Sequence, residues 1–330
     1  MSDESPSIVQ TLRYALEAAG FFAVIGMSRA LPVDAASAVG GWFGRTILYH
    51  TPVSQRARTN LIAAYPGMER KEREKLIREM WDNLGRTIAE YGHLSSFKVA
   101  GPGARIEVAG LEHVARAAAS GHGTIFVSGH FANWEMLPFA AAQSGVEGGA
   151  VYRPLNNPLV DRWMVRQRRA NGPDEMIAKG PQGTRRIFTL LRSHKAIFML
   201  VDQKTNQGLA IPFFGRDAMT TPAPAALALK LGATLLPTSN ERLGGARFRV
   251  TVHPPIVFEP GGDHDRDVVA LTTAMNAAVE ACVRHRPSQW LWIHRRWPKP
   301  GDTPRSRRGQ EAQVQSRAGA QGKPDRSGPI

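Results

Sequence analysis

From residue 124 to residue 284, short apolar runs alternate with longer segments whose apolar residues recur at helical spacing. Runs such as TIFVS and AIFMLV have the length and composition of strands. Alternation of this kind predicts an α/β fold with a largely parallel central sheet and helices on its faces, because parallel strands need crossover connections. The strands expected on this basis are residues 124–128, 149–152, 175–178, 196–201, 234–238 and 248–252.

Helices are expected between these strands and at both ends of the pattern. A long one, residues 69–96, has apolar side chains at three- and four-residue steps, and a Gly/Pro-rich loop follows it. We therefore predict an N-terminal helical, membrane-associating region (1–100), an α/β domain (101–300) and a basic tail (301–330). The tail has no aromatic residue and is rich in Gly, Pro, Ser, Gln and Arg, which predicts disorder. The other predicted helices are residues 134–143, 158–170, 182–193, 222–231 and 265–284.

The charge balance indicates which partners the chain attracts. There are 42 Lys and Arg residues against 28 Asp and Glu residues, a formal net charge of +14. Such an excess favours an anionic bilayer, an acidic protein or nucleic acid as partner. Nine basic residues fall between residues 162 and 195, opposed only by Asp174 and Glu175. That stretch suits a phosphorylated headgroup, although a solvated helix face has the same composition.

One uncharged apolar stretch, residues 18–28, lies near the N-terminus. It is shorter than the ~20 residues that a membrane-spanning helix needs. A buried helix, a helix in the membrane surface and a full span are all compatible with it. The acidic opening of the chain, with Asp3 and Glu4, does not resemble a secretory signal.

Several common chemistries leave no trace in the sequence. It has no phosphate-binding G-x-x-x-x-G-K-[ST] loop, no third glycine of a dinucleotide loop, no C-x-x-C or H-E-x-x-H zinc pattern and no G-x-S-x-G nucleophile turn. The single cysteine, Cys282, sits in a helical stretch, which favours a buried structural thiol over a nucleophile. No metal or cofactor is expected.

The segment VSGHFANWE, residues 127–135, is where a strand changes into a helix. His130 is expected at the carboxyl end of the strand, where open α/β sheets bind ligands, and Glu135 in the first turn of a helix capped by Asn133. A turn between them lets the side chains meet, and a carboxylate on one imidazole nitrogen leaves the other nitrogen as a base. The alternative is a structural histidine and a glutamate that merely favours the helix N-terminus.

His130-x4-Glu135 resembles the H-x4-D/E motif of the glycerolipid and lysophospholipid acyltransferases. With three further blocks in order, the chain resembles the lipid A biosynthesis acyltransferases, the late lauroyl/myristoyl-type enzymes, from residue 8 to residue 300. The N-terminal apolar stretch is shorter than the membrane helix usual in that family. The further blocks are VYRPLNNP (151–158), VDQ with PFFGRDAMT (201–220) and PSQWLWIHRRWP (287–298).

The resemblance implies a role for each of these residues. His130 would be the general base and Glu135 the carboxylate that orients it. Arg153 matches an arginine beside the site, where a permanent planar cation would stabilise an oxyanion or hold a substrate phosphate; a strand-end surface cation is the alternative. Asp202 would help to position the catalytic pair or Arg153, or is an ordinary turn or helix-capping aspartate.

Further substrate contacts are expected from Asn133 and Asp202 and from two apolar or aromatic blocks. Phe213 and Phe214 would line the path of an acyl chain or pack in the core. Arg295 and Arg296 lie among tryptophans, a combination that suits a bilayer interface and also single-stranded nucleic acid.

The function implied is a membrane-associated O-acyltransferase on the cytoplasmic face of the inner membrane. It would move a fatty acyl chain from an acyl-carrier-protein thioester to a hydroxyl of a lipid A precursor, without a covalent acyl-enzyme. The expected partners are the acyl carrier protein, the glycolipid acceptor and an anionic membrane surface. Other acceptors, a phosphoinositide mannoside or a lysophospholipid, remain open. Nucleic acid is not expected as a partner. A nucleic-acid-binding protein would explain the charge but not the paired histidine and glutamate.

Overall fold

The computed structural model describes residues 7–206 and 208–297; the predicted tail, 301–330, lies outside them. Seven strands form one sheet and two more form a separate hairpin. The sheet strands are β1 (Ile106–Ala109), β2 (Thr124–Ser128), β3 (Gly148–Tyr152), β4 (Glu175–Ala178), β5 (Ala196–Leu200), β8 (Thr234–Gly244) and β9 (Arg247–Val252), and the hairpin is β6 (Leu209–Phe213) and β7 (Arg216–Thr220).

The strand order of the sheet is β1-β9-β8-β2-β5-β3-β4. Every neighbouring pair is parallel except β8 and β9, which are antiparallel. This confirms the predicted α/β fold with a largely parallel sheet. In register, Thr124 of β2 lies between Ala196 of β5 and Thr234 of β8, so the ends of β2 and β5 meet at one edge of the sheet.

Successive residues of the central strands alternate between two apolar layers, as the period of a strand requires. Ile125 and Ile197 face one core cluster, whereas Phe126 and Phe198 face the other. Helices cover both faces of the sheet, and most of them add apolar side chains to these two clusters. They are α5 (Leu111–Ala119), α6 (Met136–Gln143), α7 (Pro158–Asn171), α8 (Pro181–Arg192), α9 (Ala223–Leu231) and α10 (His264–His285).

Four helices precede the sheet: α1 (Ile8–Arg29), α2 (Val33–Thr46), α3 (Ser54–Ala64) and α4 (Arg70–Glu90). The predicted helix over 69–96 is shorter, because a 3-10 turn, Tyr91–Ser96, replaces its last part. Ile77 and Trp81 of α4 belong to the same core cluster as Ile125 of the sheet. The domain boundary near residue 100 stays a prediction.

The predicted apolar stretch 18–28 lies within α1, a helix of 22 residues that is long and apolar enough to cross a membrane by length and composition. Only 11% of its most apolar window is buried. A core helix would be covered, so a buried helix is not the form that this stretch takes. A single such helix is nevertheless weak evidence for a membrane span.

Candidate functional site

The candidate site is built on the turn that follows β2. Gly129 leaves the strand, and His130 is the first side chain beyond the sheet edge, with 14% of its surface exposed. A Cβ at Gly129 would lie 3.1 Å from Asp202 Oδ2, so a larger residue would push into the site. Ala132 then adopts a left-handed φ of 45°, and its N–H donates to the Gln289 carbonyl at 2.8 Å. The turn is thus tied to the segment that follows α10.

Asp202 is the carboxylate that contacts His130. It follows β5, and it accepts the His130 ring Nδ1–H at 2.8 Å and the His130 backbone N–H at 2.7 Å. The indole Nε1–H of Trp290 donates to the same carboxylate at 2.7 Å. Burial alone would raise the pKa of Asp202, but His130 and these hydrogen bonds hold it well below its usual value. Asp202 therefore remains an anion that fixes the ring of His130.

The other nitrogen of His130 faces an amide. Gln203 Nε2 lies 3.0 Å from His130 Nε2 and 2.9 Å from Nε2 of a second histidine, His294. The two imidazole centres are 5.3 Å apart. Burial, with a smaller contribution from His130, lowers the pKa of His294 to about 4, so its ring is neutral near pH 7.

Glu135 does not contact His130 in the described residues, contrary to the orientation expected from the sequence. Its carboxylate accepts two hydrogen bonds from Arg168 of α7, at 2.8 and 2.6 Å, and one from the Tyr91 hydroxyl at 2.9 Å. Although burial lowers the pKa of an arginine, Glu135 raises that of Arg168 above its usual value. The physical reason is the turn: α6 begins only at Met136, and Glu135 is buried against α7 and the 3-10 turn that follows α4.

Asn133, expected as a helix cap and substrate contact, is fully buried beneath the turn. Its side chain donates to Glu90 at 2.9 Å and accepts the Glu135 N–H at 3.2 Å. It does not cap the helix as predicted, because α6 starts only at Met136. Glu90 is itself ion-paired with Arg242 of β8. Asn133 therefore holds the turn to α4 and β8, and its predicted contact with substrate remains untested.

Arg153 lies just beyond the carboxyl end of β3, and its side chain is exposed. Within residues 7–206 and 208–297 it forms no ion pair, and no hydrogen bond joins it to His130. Since β3 is the neighbour of β5 in the sheet, Arg153 lies at the same edge as Asp202. Its role as an oxyanion or phosphate contact stays a prediction.

The predicted apolar wall and one of the predicted cations are buried. Phe213 and Phe214 pack against Trp290, Trp292 and Trp297 in the core. Arg296 is fully buried and donates to three neutral groups, the Met219 carbonyl at 3.2 Å, Thr220 Oγ1 at 2.9 Å and Asn276 Oδ1 at 2.7 Å.

The buried position of Arg296 contradicts its expected role as a substrate contact, whereas Arg295 stays at the surface. Burial lowers the pKa of Arg296 to about 10, and its contacts join β7 to α10 rather than reaching solvent. Arg295 is exposed, so it keeps the surface position expected of a headgroup contact.

Cys282 lies 3.7 Å from Nε2 of His253, and burial raises the pKa of its thiol to about 11. This fits the predicted structural thiol rather than a nucleophile.

Sequence reasoning missed five residues around the site: Gln203, His294, Trp290, Arg168 and Tyr91. Three of them stand inside the quoted blocks, since Gln203 follows Asp202 and the other two belong to residues 287–298. Because glutamine, histidine and tryptophan side chains can all form hydrogen bonds, these three residues could have been proposed as part of the site from the sequence. For Arg168 and Tyr91 no local signal exists, because each reaches Glu135 from a different helix or turn.

The described residues contain no group of three or more His, Cys, Asp or Glu side chains that could hold a metal ion. A cavity of about 760 Å³ lies between α4 and residues 288–289, and it is lined by Asn83 and Arg242 rather than by His130. His130 therefore lies outside that cavity. The chemistry that His130 itself can perform is proton transfer by an oriented imidazole.

The comparisons with known proteins agree with the four sequence blocks. A model of the family described as bacterial lipid A biosynthesis acyltransferase matches residues 5–299. The lipid A biosynthesis lauroyltransferase of Escherichia coli K12 is 29% identical over 250 residues, which cover 72% of this chain and 76% of that protein. The palmitoleoyltransferase of the same organism is 28% identical over 251 residues, 73% of this chain and 77% of the relative.

A more distant relative has a different acceptor in its name. The phosphatidylinositol mannoside acyltransferase of Mycobacterium tuberculosis is 26% identical over 215 residues, 64% of each chain. The match over nearly the whole chain is to a family of acyltransferases of lipid A synthesis.

Proposed function

Because the chain belongs to the bacterial lipid A biosynthesis acyltransferases, we propose that it transfers a fatty acyl chain from an acyl-carrier-protein thioester to a hydroxyl of a lipid A precursor. The observation that carries the mechanism is the pair His130 and Asp202 at the meeting ends of two parallel strands. That edge is where open α/β sheets bind their ligands.

In the proposed reaction, Asp202 holds the proton on Nδ1 of His130, so Nε2 has a free lone pair. Nε2 takes the proton of the acceptor hydroxyl as its oxygen attacks the thioester carbonyl. The resulting tetrahedral oxyanion collapses and breaks the carbon–sulfur bond. The proton on His130 then passes to the departing thiolate, which regenerates the neutral imidazole and releases the carrier thiol.

The proposal changes the expected roles of two carboxylates. Asp202 orients the base, whereas Glu135 and Arg168 form a buried ion pair that fixes the start of α6 behind the turn. Arg153, a cation at the neighbouring strand end, is proposed to hold a phosphate of the substrate or to stabilise the oxyanion. Its exposure supports a contact that forms only when substrate arrives.

We also propose that the protein works on the cytoplasmic face of the inner membrane. Two neighbouring helices support membrane association: α1 exposes Leu12, Leu16 and Met27, and α2 exposes Trp42 and Phe43. The formal net charge of +14 favours both an anionic bilayer and an acidic carrier protein.

The direct test is transfer of a labelled acyl chain from its carrier-protein thioester to an extracted lipid A precursor. We expect product with the wild-type protein and none above background with His130→Ala. Parallel reactions with a phosphatidylinositol mannoside and a lysophospholipid decide the acceptor, since one relative is named for the former. No transfer to any lipid, together with tight binding of nucleic acid, would overturn the proposal.

A further inference from the structure

The side-chain amide of Gln203 lies between two histidines. Its Nε2 is 3.0 Å from Nε2 of His130 and 2.9 Å from Nε2 of His294. The nitrogen of His130 that must act as a base is therefore already hydrogen-bonded. The reacting atom is covered by a residue that the mechanism does not yet use.

The chemistry of the partners fixes which atoms carry the protons. The Asp202 carboxylate can only accept, so the His130 nitrogen that faces it, Nδ1, carries a hydrogen. A neutral ring then has its lone pair on Nε2 and needs a donor there. The amide nitrogen of Gln203, not its oxygen, satisfies this need. Its two hydrogens serve one ring each, so His294 Nε2 is an acceptor as well.

We propose that Gln203 is a positioning residue that holds His130 in its neutral, proton-accepting form and occupies, in the resting site, the place of the acceptor hydroxyl. This inference rests on the proposed function. A hydroxyl that gives its proton to His130 must come within about 2.6–3.2 Å of Nε2, which is where the amide nitrogen lies. The substrate O–H thus replaces one N–H donor, and Gln203 keeps its second hydrogen bond to His294.

His294 anchors the displaced amide because its own position is fixed. Asn60 of α3 is buried, and its side-chain amide donates to the Trp292 carbonyl at 2.6 Å and to the His294 carbonyl. The charged and titratable groups that face the two rings are Asp202 from the end of β5 and Arg56 from α3. Lys204 is the next residue after Gln203 and is exposed.

Gln203→Glu is the sharpest test, because it keeps the shape of the side chain but replaces its donors with a negative acceptor. A carboxylate between the rings favours their protonated forms. The acid limb of the kcat/KM profile should then move to higher pH by about one unit, which is about a tenfold loss on that limb, with recovery at high pH. Asn206→Asp, exposed on the same loop, is the matched control and should leave the limb in place.

Gln203→Met removes the donors without adding a charge. Because the bond that competes with the acceptor hydroxyl is gone, KM for the acceptor should be unchanged or lower while kcat falls. A residue that merely bound substrate would instead raise KM. Nitrogen-15 NMR of labelled histidine gives a readout independent of turnover: at the same pH, a larger fraction of the rings should be protonated in Gln203→Glu than in the wild type.

The outcomes separate this inference from the proposed function. If His130→Ala keeps near-full activity, the mechanism itself is wrong. If His130→Ala is inactive but Gln203→Glu leaves both the limb and the histidine nitrogen shifts unchanged, only the inference about Gln203 is overturned. A raised acceptor KM in Gln203→Met, with a normal melting temperature, would overturn it as well.

Discussion

Asp202 accepts two hydrogen bonds from the single residue His130, one from its backbone N–H at 2.7 Å and one from its ring at 2.8 Å. The same carboxylate therefore fixes the turn and the orientation of the imidazole. Because β2 and β5 are neighbours in the sheet, the pair bridges two strand ends. Rotating the ring away from Asp202 would break a bond without releasing the backbone.

Asp202→Asn should lower the acyl transfer rate by about 10²–10⁴-fold, the range of a general base that loses its orientation. The amide presents a hydrogen-bond donor to the turn and no longer holds the required tautomer. Adding His130→Ala to it should cost little more, since residues that act as one unit are not additive. Initial rates measure this, with melting temperatures as the control; a strictly multiplicative double mutant would contradict it.

The pH dependence of the wild type should have a single acid limb. The pKa of Asp202 is held below its usual value, so this group stays ionised as the pH falls towards 5. The pKa of His294 is lowered to about 4, so this ring stays neutral over the same range. Since neither group takes up a proton before the pH falls below about 5, the acid limb of kcat/KM above that pH should fit a single protonation. A profile that needs two protons would show that a second group titrates.

The parallel sheet could be predicted because its strands are short apolar runs separated by helical segments. The hairpin of β6 and β7 could not, since RDAMT contains charged and small residues rather than an apolar run. Helix α2 could not be predicted from large apolar residues either, because the residues that it buries, such as Ala36 and Gly44, are small.

The candidate site was predicted in part. His130 and Asp202 were both placed at strand ends, but the sequence does not say which strands are neighbours, so the pairing of the two residues required the sheet order. Glu135 was expected at His130 because the turn was assumed to bring the two together. The left-handed Ala132 and the late start of α6 at Met136 send Glu135 to Arg168 instead.

Glu135→Gln or Arg168→Leu alone should destabilise the protein by about 3–5 kcal/mol, because each leaves a buried charge without its partner. The combined variant should lose less than the sum of the two. Exposed Arg13 and Glu17 are the matched control, since the loss of a surface ion pair costs about 0–1 kcal/mol. Urea unfolding in detergent measures all of these; additive losses at Glu135 and Arg168 would show that the pair does not act as a unit.

Gly44→Ala should destabilise the contact between α2 and α4. A Cβ at Gly44 would lie 2.0 Å from the Trp81 carbonyl oxygen, so the helices must separate. Overpacking of this kind typically costs about 1–3 kcal/mol. Gly20→Ala in α1, where a Cβ meets nothing within 4 Å, is the control and should be neutral or stabilising by up to about 1 kcal/mol. Equal melting temperatures for the two variants would contradict this packing.

Membrane binding should have an apolar part and an electrostatic part. On α2, Val39, Trp42 and Phe43 share one exposed face, while the opposite face packs on α4. Trp42→Ala with Phe43→Ala should weaken binding to vesicles of anionic lipid at both low and high salt, because apolar burial is not screened. High salt alone should release only part of the wild type, since each basic residue near the surface contributes about 1 kcal/mol that salt removes.

Val257→Ala, an exposed apolar residue in the loop after β9, is the control for that experiment and should bind like the wild type. Vesicle co-sedimentation across a salt series measures the three proteins. Release of all wild-type protein by salt would mean that α1 and α2 do not insert. Unchanged binding of the Trp42 and Phe43 variant at high salt would mean that only α1 inserts. The exposed residues of α1, Leu12, Leu16 and Met27, would then be the next to replace.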